Sequence, residues 1–234
     1  MKYLAYVLIG IFLFWSKILL ANLTPEFVGG IQIPSFQNCS QLLANTCNSS
    51  RDKVAYQQCF NRINFPPYCN SFVAFAKKIE YSYRDQIDNI RAYGETSASG
   101  QTGTIYLIHV LRWGSYFPGD FFIIDQTGAL IYVMEVQNID IRNSPQYLQF
   151  AAQYPKVDIW PIVLRMPTWE LRPDGGQRMT FRFELLNGCY NCAQVGYANV
   201  AFDFSKEGVF EGMTLLSLMK HFAGIPELSD PSQK

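Results

Sequence analysis

Hydrophobic and polar positions fall into two regimes that meet near residue 100. Before it, Phe72, Phe75, Ala76, Ile79, Tyr83, Ile87 and Ile90 recur at three- and four-residue steps, with Lys77, Lys78, Glu80, Arg84, Asp85, Asp88 and Arg91 between them. That period predicts one long amphipathic helix over 71–92, stopping before Gly94. Glu80 and Arg84 sit in the favourable i,i+4 order on it. Upstream, residue types fit shorter helices at 39–46 and 53–62, after an irregular, extended entry segment from Asn22 to Pro34.

Beyond residue 103 the period drops to two. Met179, Phe181, Phe183 and Leu185 alternate with Arg178, Thr180, Arg182 and Glu184, which predicts a strand with one core face and one wet face. Strand-like runs also cover 104–113, 120–125, 130–136, 157–165, 194–204 and 209–218, and Pro161 assigns the 157–165 run to a sheet edge. Ser144 to Tyr154 reads as a short helix with Ser144 as N-cap and Pro145 in its first position. Asp125-Gln126-Thr127-Gly128, Arg172 to Gly176, and Ser205 to Gly208 are turns. The small, polar stretch Glu95 to Gly103 separates the regimes as a boundary or mobile loop.

Together these elements predict an α+β fold, a disulfide-tied N-terminal helical segment packed on an antiparallel β-sheet. The helical segment spans 22–94, the β-rich part 104–220, and 221–234 is a tail. At the start, Lys2, the apolar run Leu4 to Trp15 and the small Ala21 have the layout of a cleavable signal peptide over 1–21. Reading through Ser16 and Lys17 instead gives an uncleaved anchor, the one route by which the chain would engage a membrane. An exported chain, periplasmic or extracellular, meets an oxidising compartment, where its six cysteines would be bridged. Cys39, Cys47, Cys59 and Cys69 allow three pairings; a helical hairpin favours the nested set, Cys39 with Cys69 and Cys47 with Cys59.

Charge narrows the partners. The chain has 19 basic and 19 acidic residues; removing Lys2 and Lys17 with the leader leaves a net of −2. That balance gives no counterion-release drive toward nucleic acid and no attraction to anionic lipid. Only two histidines occur, His109 on a strand-like run and His221 in the tail, so relay catalysis and His-rich metal sites have little material. No metal, cofactor or catalytic residue is expected. Asp120, Asp125, Glu135, Glu170, Glu184 and Asp203 lie in or near strands, but no pairing marks two of them as an acid and base.

Cys189-Tyr190-Asn191-Cys192 is the sharpest local motif. It lacks the helical context that activates a redox Cys-x-x-Cys, so it reads as a bridge tying a loop between strands. The segment 114–119 is dense in aromatics next to Gly and Pro. Trp113, Tyr116 and Phe117, with Tyr190 and Asn191 of the bridged loop, are the candidate partner-binding residues.

Cys189 to Gln194, followed by Tyr197 to Phe202 and a turn into Gly212-Met213-Thr214-Leu215, resembles the Cys-bridged loop and hairpin of periplasmic inhibitors of vertebrate-type lysozyme. The likeness covers about 30 residues. It implies a disulfide-held binding loop; in that family the loop carries a histidine and enters the lysozyme cleft, whereas here Tyr190 and Asn191 stand in its place. The expected function is therefore an exported, non-enzymatic protein that binds a protein or a cell-envelope polymer through loops at the sheet end. The alternatives are an exported thiol-disulfide oxidoreductase using Cys189 and Cys192, and an anchored component of an envelope or secretion assembly.

Overall fold

A computed structural model describes residues 34–47, 52–82, 85–94, 96–97, 100–101, 103–112, 119–163, 165–189 and 191–220. The predicted signal peptide (1–21) and the predicted tail (221–234) lie outside them. The fold is α+β, with helices in the N-terminal part and antiparallel sheets after them. The chain divides into two compact units, residues 1–92 with 104–131, and residues 93–103 with 132–234. The strands between 105 and 131 thus group with the helices and not with the later strands.

In the first unit, α1 (Pro34–Cys47), α2 (Lys53–Arg62) and α3 (Asn70–Lys78) surround an aromatic core. Helix α1 begins five residues before the predicted 39, with Pro34 at its start, where a missing N–H costs nothing. Asp52 caps α2 by accepting the Ala55 N–H at 2.9 Å. Phe36 packs against Phe72 and Phe75, and the chain of rings continues through Phe65 and Phe60 and through Tyr81. The cysteines pair in the nested arrangement, Cys39 with Cys69 (S–S 2.00 Å) and Cys47 with Cys59 (1.97 Å). Cys39, Cys47 and Cys69 are fully buried.

The long helix predicted over 71–92 is corrected. Helix α3 ends at Lys78, and β1 (Asp85–Tyr93) occupies the second half of that stretch. The stop is a Schellman closure: Tyr81 N–H donates to Ala76 O at 2.8 Å and Glu80 N–H to Lys77 O at 3.3 Å, with Glu80 in the left-handed region at φ 51°. Strands β1, β4 (Ile105–Arg112), β5 (Asp120–Ile124) and β6 (Leu130–Tyr132) form a four-stranded sheet in the order β1-β4-β5-β6. Phe122 of β5 meets Phe75 of α3 edge to face, which seats that helix on the sheet. Asp125 closes the β5–β6 turn from a buried position, accepting the N–H groups of Thr127 and Ala129. The strand predicted over 130–136 ends at Tyr132; Val133–Asn138 is a 3-10 helix that buries Val133, Met134 and Val136.

In the second unit, β7 (Val157–Val163), β8 (Thr168–Leu171), β9 (Gln177–Asn187), β10 (Gln194–Phe204) and β11 (Phe210–Lys220) form a five-stranded sheet in the order β11-β10-β9-β7, with β8 also on β9. All its pairings are antiparallel, and β7 with its Pro161 is an edge strand, as predicted. Met179, Phe181, Phe183 and Leu185 of β9 are fully buried, as are Ala198, Val200, Phe202 and Phe204 of β10. The period of two therefore marks the core face correctly. The predicted helix at 144–154 is shorter: α4 (Tyr147–Ala151) is little more than one turn, and Ser144 instead follows the 3-10 turn Ile141–Asn143. Helix α4 covers the sheet where Gly196 leaves room, since a Cβ there would lie 2.9 Å from the Phe150 ring.

The boundary segment 95–103 holds a small antiparallel pair, β2 (Thr96–Ser97) with β3 (Gly100–Gln101), in place of a plain loop. Gly103 is tied to the β10–β11 turn, donating to Lys206 O at 2.9 Å and accepting from Gln177 Nε2 at 2.7 Å. A Cβ on Gly103 would lie 1.6 Å from Glu207 O, so only glycine permits this approach. Among the described residues no helix is long and apolar enough to cross a membrane.

Candidate functional site

The second sheet has a wet face whose rows are set by strand register. Trp160 of β7, Glu184 of β9 and Tyr197 of β10 stand opposite one another in a single row. The next row is Arg182, Asn199 and Ser217. Strand spacing of about 4.8 Å makes the first row a strip of aromatic, carboxylate and aromatic groups roughly 10 Å across. These side chains are half-buried, neither core nor fully in water.

Their electrostatics follow from that partial burial. Burial pushes the Glu184 carboxyl above the usual glutamate value. The neighbouring Arg182 is pushed below the usual arginine value, first by burial and then by Arg165. Arg182 lies 5.7 Å from the Tyr197 ring centre and donates from Nε to Asn199 Oδ1 at 3.2 Å, and Asn199 in turn donates to Ser217 Oγ at 2.9 Å. The first row thus sets two aromatic residues, Trp160 and Tyr197, opposite the Glu184 carboxyl, with Arg182 over the Tyr197 ring and Asn199 in the next row.

The row ends beside the loop between β9 and β10. Cys189 and Cys192 are bridged, and the Cys192 N–H donates to Cys189 O at 3.0 Å. Asn187 anchors the loop twice, through its N–H to Ala193 O at 3.3 Å and through Oδ1, which accepts the Lys156 N–H at 3.2 Å. Gly188 (φ 95°) lies against the Lys156 stem, where an added Cβ would come within 3.2 Å. A cleft opens here, lined by Gln137, Lys156, Asp158, Trp160, Pro161 and Gly188.

At the far end of the same sheet the charges are paired. Asp203 receives both Arg178 Nε (2.6 Å) and Nη2 (3.0 Å), and Arg172 bridges Asp174 and Glu211. These pairs close the turns there, and Arg172 holds the Asp174 carboxyl below the usual aspartate value.

The first unit carries its own polar cluster. His109 Nδ1 lies 2.9 Å from Asp88 Oδ2, and its ring stacks on Phe121 at 4.4 Å. It is a packed histidine on β4. Arg112 Nε pairs with Asp120 at 2.6 Å and lies 3.9 Å from the inward-facing Asp85. Burial pushes the Asp85 carboxyl above its ordinary 3.8, against the Ser82 hydrogen bond and the Arg112 charge that pull it down. A carboxyl raised in the folded state stabilises it below the unfolded value and loses that contribution as pH rises through the folded value. Asp85→Asn is therefore expected to flatten the fall in stability as pH rises above about 4. Urea midpoints measured from pH 3 to 7 check it, and an unchanged pH profile in a folded variant would contradict it.

Of the predicted partner residues, Trp113, Tyr116, Phe117 and Tyr190 lie outside the described residues. Asn191 is exposed in the bridged loop. Of the strand carboxylates, Asp120 and Asp203 are ion-paired, Asp125 forms a turn, and Glu135 and Glu170 are exposed. The Trp160–Glu184–Tyr197 row escaped the sequence reading because its members stand on three separate strands, β7, β9 and β10. The signal that could have found it is cross-strand register, which periodicity does not supply. Among the described residues no group of three His, Cys, Asp or Glu side chains could hold a metal ion. Comparison with known protein families, curated proteins and solved structures finds no match. The likeness to the lysozyme inhibitors accordingly rests on its own residues.

Proposed function

We propose that this is an exported protein that acts by binding, and that its ligand is a hydroxyl-rich polymer of the cell envelope held at the 187–194 end of the second sheet. The observation that carries this reading is the row Trp160, Glu184, Tyr197, whose Trp160 also lines the cleft beside Gly188. Ring faces flanking a half-buried carboxylate suit a chain of sugar-like rings with hydroxyl edges better than they suit a charged or purely apolar surface. Three disulfides fit an oxidising compartment.

Washed envelope material should retain the purified protein, and Trp160→Ala should weaken retention by about 2 kcal/mol, roughly thirtyfold. Circular dichroism confirms that the variant is folded. Equal retention of a folded Trp160→Ala protein would overturn the proposed site. Retention by protein-free polymer separates a polymer ligand from a protein partner, and a mature N-terminus at Asn22 supports export through a cleaved leader.

A further inference from the structure

The three disulfides do not share one environment. Cys39, Cys69 and Cys47 have no exposed surface, and Cys59, their remaining partner, is half-buried. Cys189 is exposed and Cys192 half-exposed, at the tip of a hairpin that is already closed by backbone hydrogen bonds. The first two bridges join residues 30 and 12 apart; the third joins residues 3 apart, in the loop between strands whose ladder begins at Leu186 and Gln194. A loop this short has little chain entropy to lose, so the third bridge adds least to the stability of the fold.

We propose that Cys189–Cys192 is a thiol–disulfide exchange site, whose co-reactant is an exported dithiol protein or a small thiol. An incoming thiolate attacks Sγ of Cys189, an exposed residue, and forms a mixed disulfide with it. The Cys189–Cys192 bond breaks, and Cys192 Sγ leaves as the thiolate. A second thiolate, the other thiol of the dithiol protein or a second molecule of the small thiol, then attacks the co-reactant's sulfur in the mixed disulfide; Cys189 Sγ leaves as a thiolate and takes up a proton, and the co-reactant departs as a disulfide. Two electrons pass to the protein, and the other two bridges remain intact. Exposure admits the attacking thiol, and exposed disulfides are the labile ones in a folded chain. The aliphatic stem of Lys156 lies against Gly188, next to Cys189. The exchange does not depend on what the cleft binds, although Gly188 lines both the cleft and the loop.

The test is graded reduction of the full chain by dithiothreitol at neutral pH without denaturant, followed by alkylation and peptide mapping. Cys189 and Cys192 should alkylate at a reductant concentration about tenfold or more below that needed for the other four, with an unchanged far-ultraviolet spectrum. A Cys192→Ser protein, left with one thiol at Cys189, should take up a single glutathione from glutathione disulfide. Simultaneous opening of all three bridges, survival of Cys189–Cys192 after the others open, or a folded Cys192→Ser protein that forms no adduct would each overturn the proposal.

Discussion

Phe181→Ala is expected to destabilise the second unit by about 3–5 kcal/mol, the largest effect of any single truncation considered for this protein. Phe181 is fully buried at the middle of β9, with ring centres 5.2 Å from Phe202 and 6.1 Å from Phe183. Removing the ring forfeits its transfer from water and leaves a cavity among neighbours held in place by both adjoining strands. The expected readout is a lower urea midpoint at unchanged slope for the transition reported by Trp169, which stands on β8 of the same unit. A cost below about 1 kcal/mol would mean that the sheet face around Phe181 collapses freely, contrary to its packing.

The second large effect belongs to the outer disulfide. Chain entropy alone assigns about 3.6 kcal/mol to a bridge across 30 residues, about 2.8 across 12 and about 1.6 across 3. Because Cys47–Cys59 already shortens the ring closed by Cys39–Cys69, removal of the outer bridge alone should cost about 3 kcal/mol. Both its cysteines are fully buried among the helices, so alanines there also leave unfilled space. The paired Cys39→Ala, Cys69→Ala protein should lose cooperative unfolding of the helical unit at 37 °C, seen as loss of helical signal. The paired Cys189→Ala, Cys192→Ala protein should keep it. Equal costs for the two removals would contradict the account of which bridges hold the fold.

These contrasts explain what was legible in the sequence. The alternation in β9 was readable because one face is core from Met179 to Leu185, so every second residue there is apolar. The nested pairing was accessible once two short helices were recognised, since a helical hairpin brings Cys39 toward Cys69. The end of α3 was hidden, because its closure depends on a left-handed residue at position 80 and the chain has glutamate there, not glycine. With no glycine to mark the stop, Tyr83, Ile87 and Ile90 continued a helical period by spacing alone. In β1 only Ile87 of the latter two is buried, and Ile90 is half-exposed. The aromatic row on the wet face depends on how β7 pairs with β9, and its register shift between Trp160 and Val163 has no local signature.

The candidate site was partly legible for the same reason. The loop 189–192 announced itself through its cysteines, and Asn191 is exposed there. Glu184 was recognised as a wet-face residue beside Arg182, but its position between two rings emerges only when three strands are assembled.

Amide hydrogen exchange of the intact protein, with and without solubilised envelope polymer, tests the central claim most directly. Binding at the proposed row predicts added protection confined to 157–163 and to 182–199, with the helices from 34 to 78 unchanged. Protection confined to the helical unit, or none at polymer concentrations that retain the protein on envelope material, would contradict it.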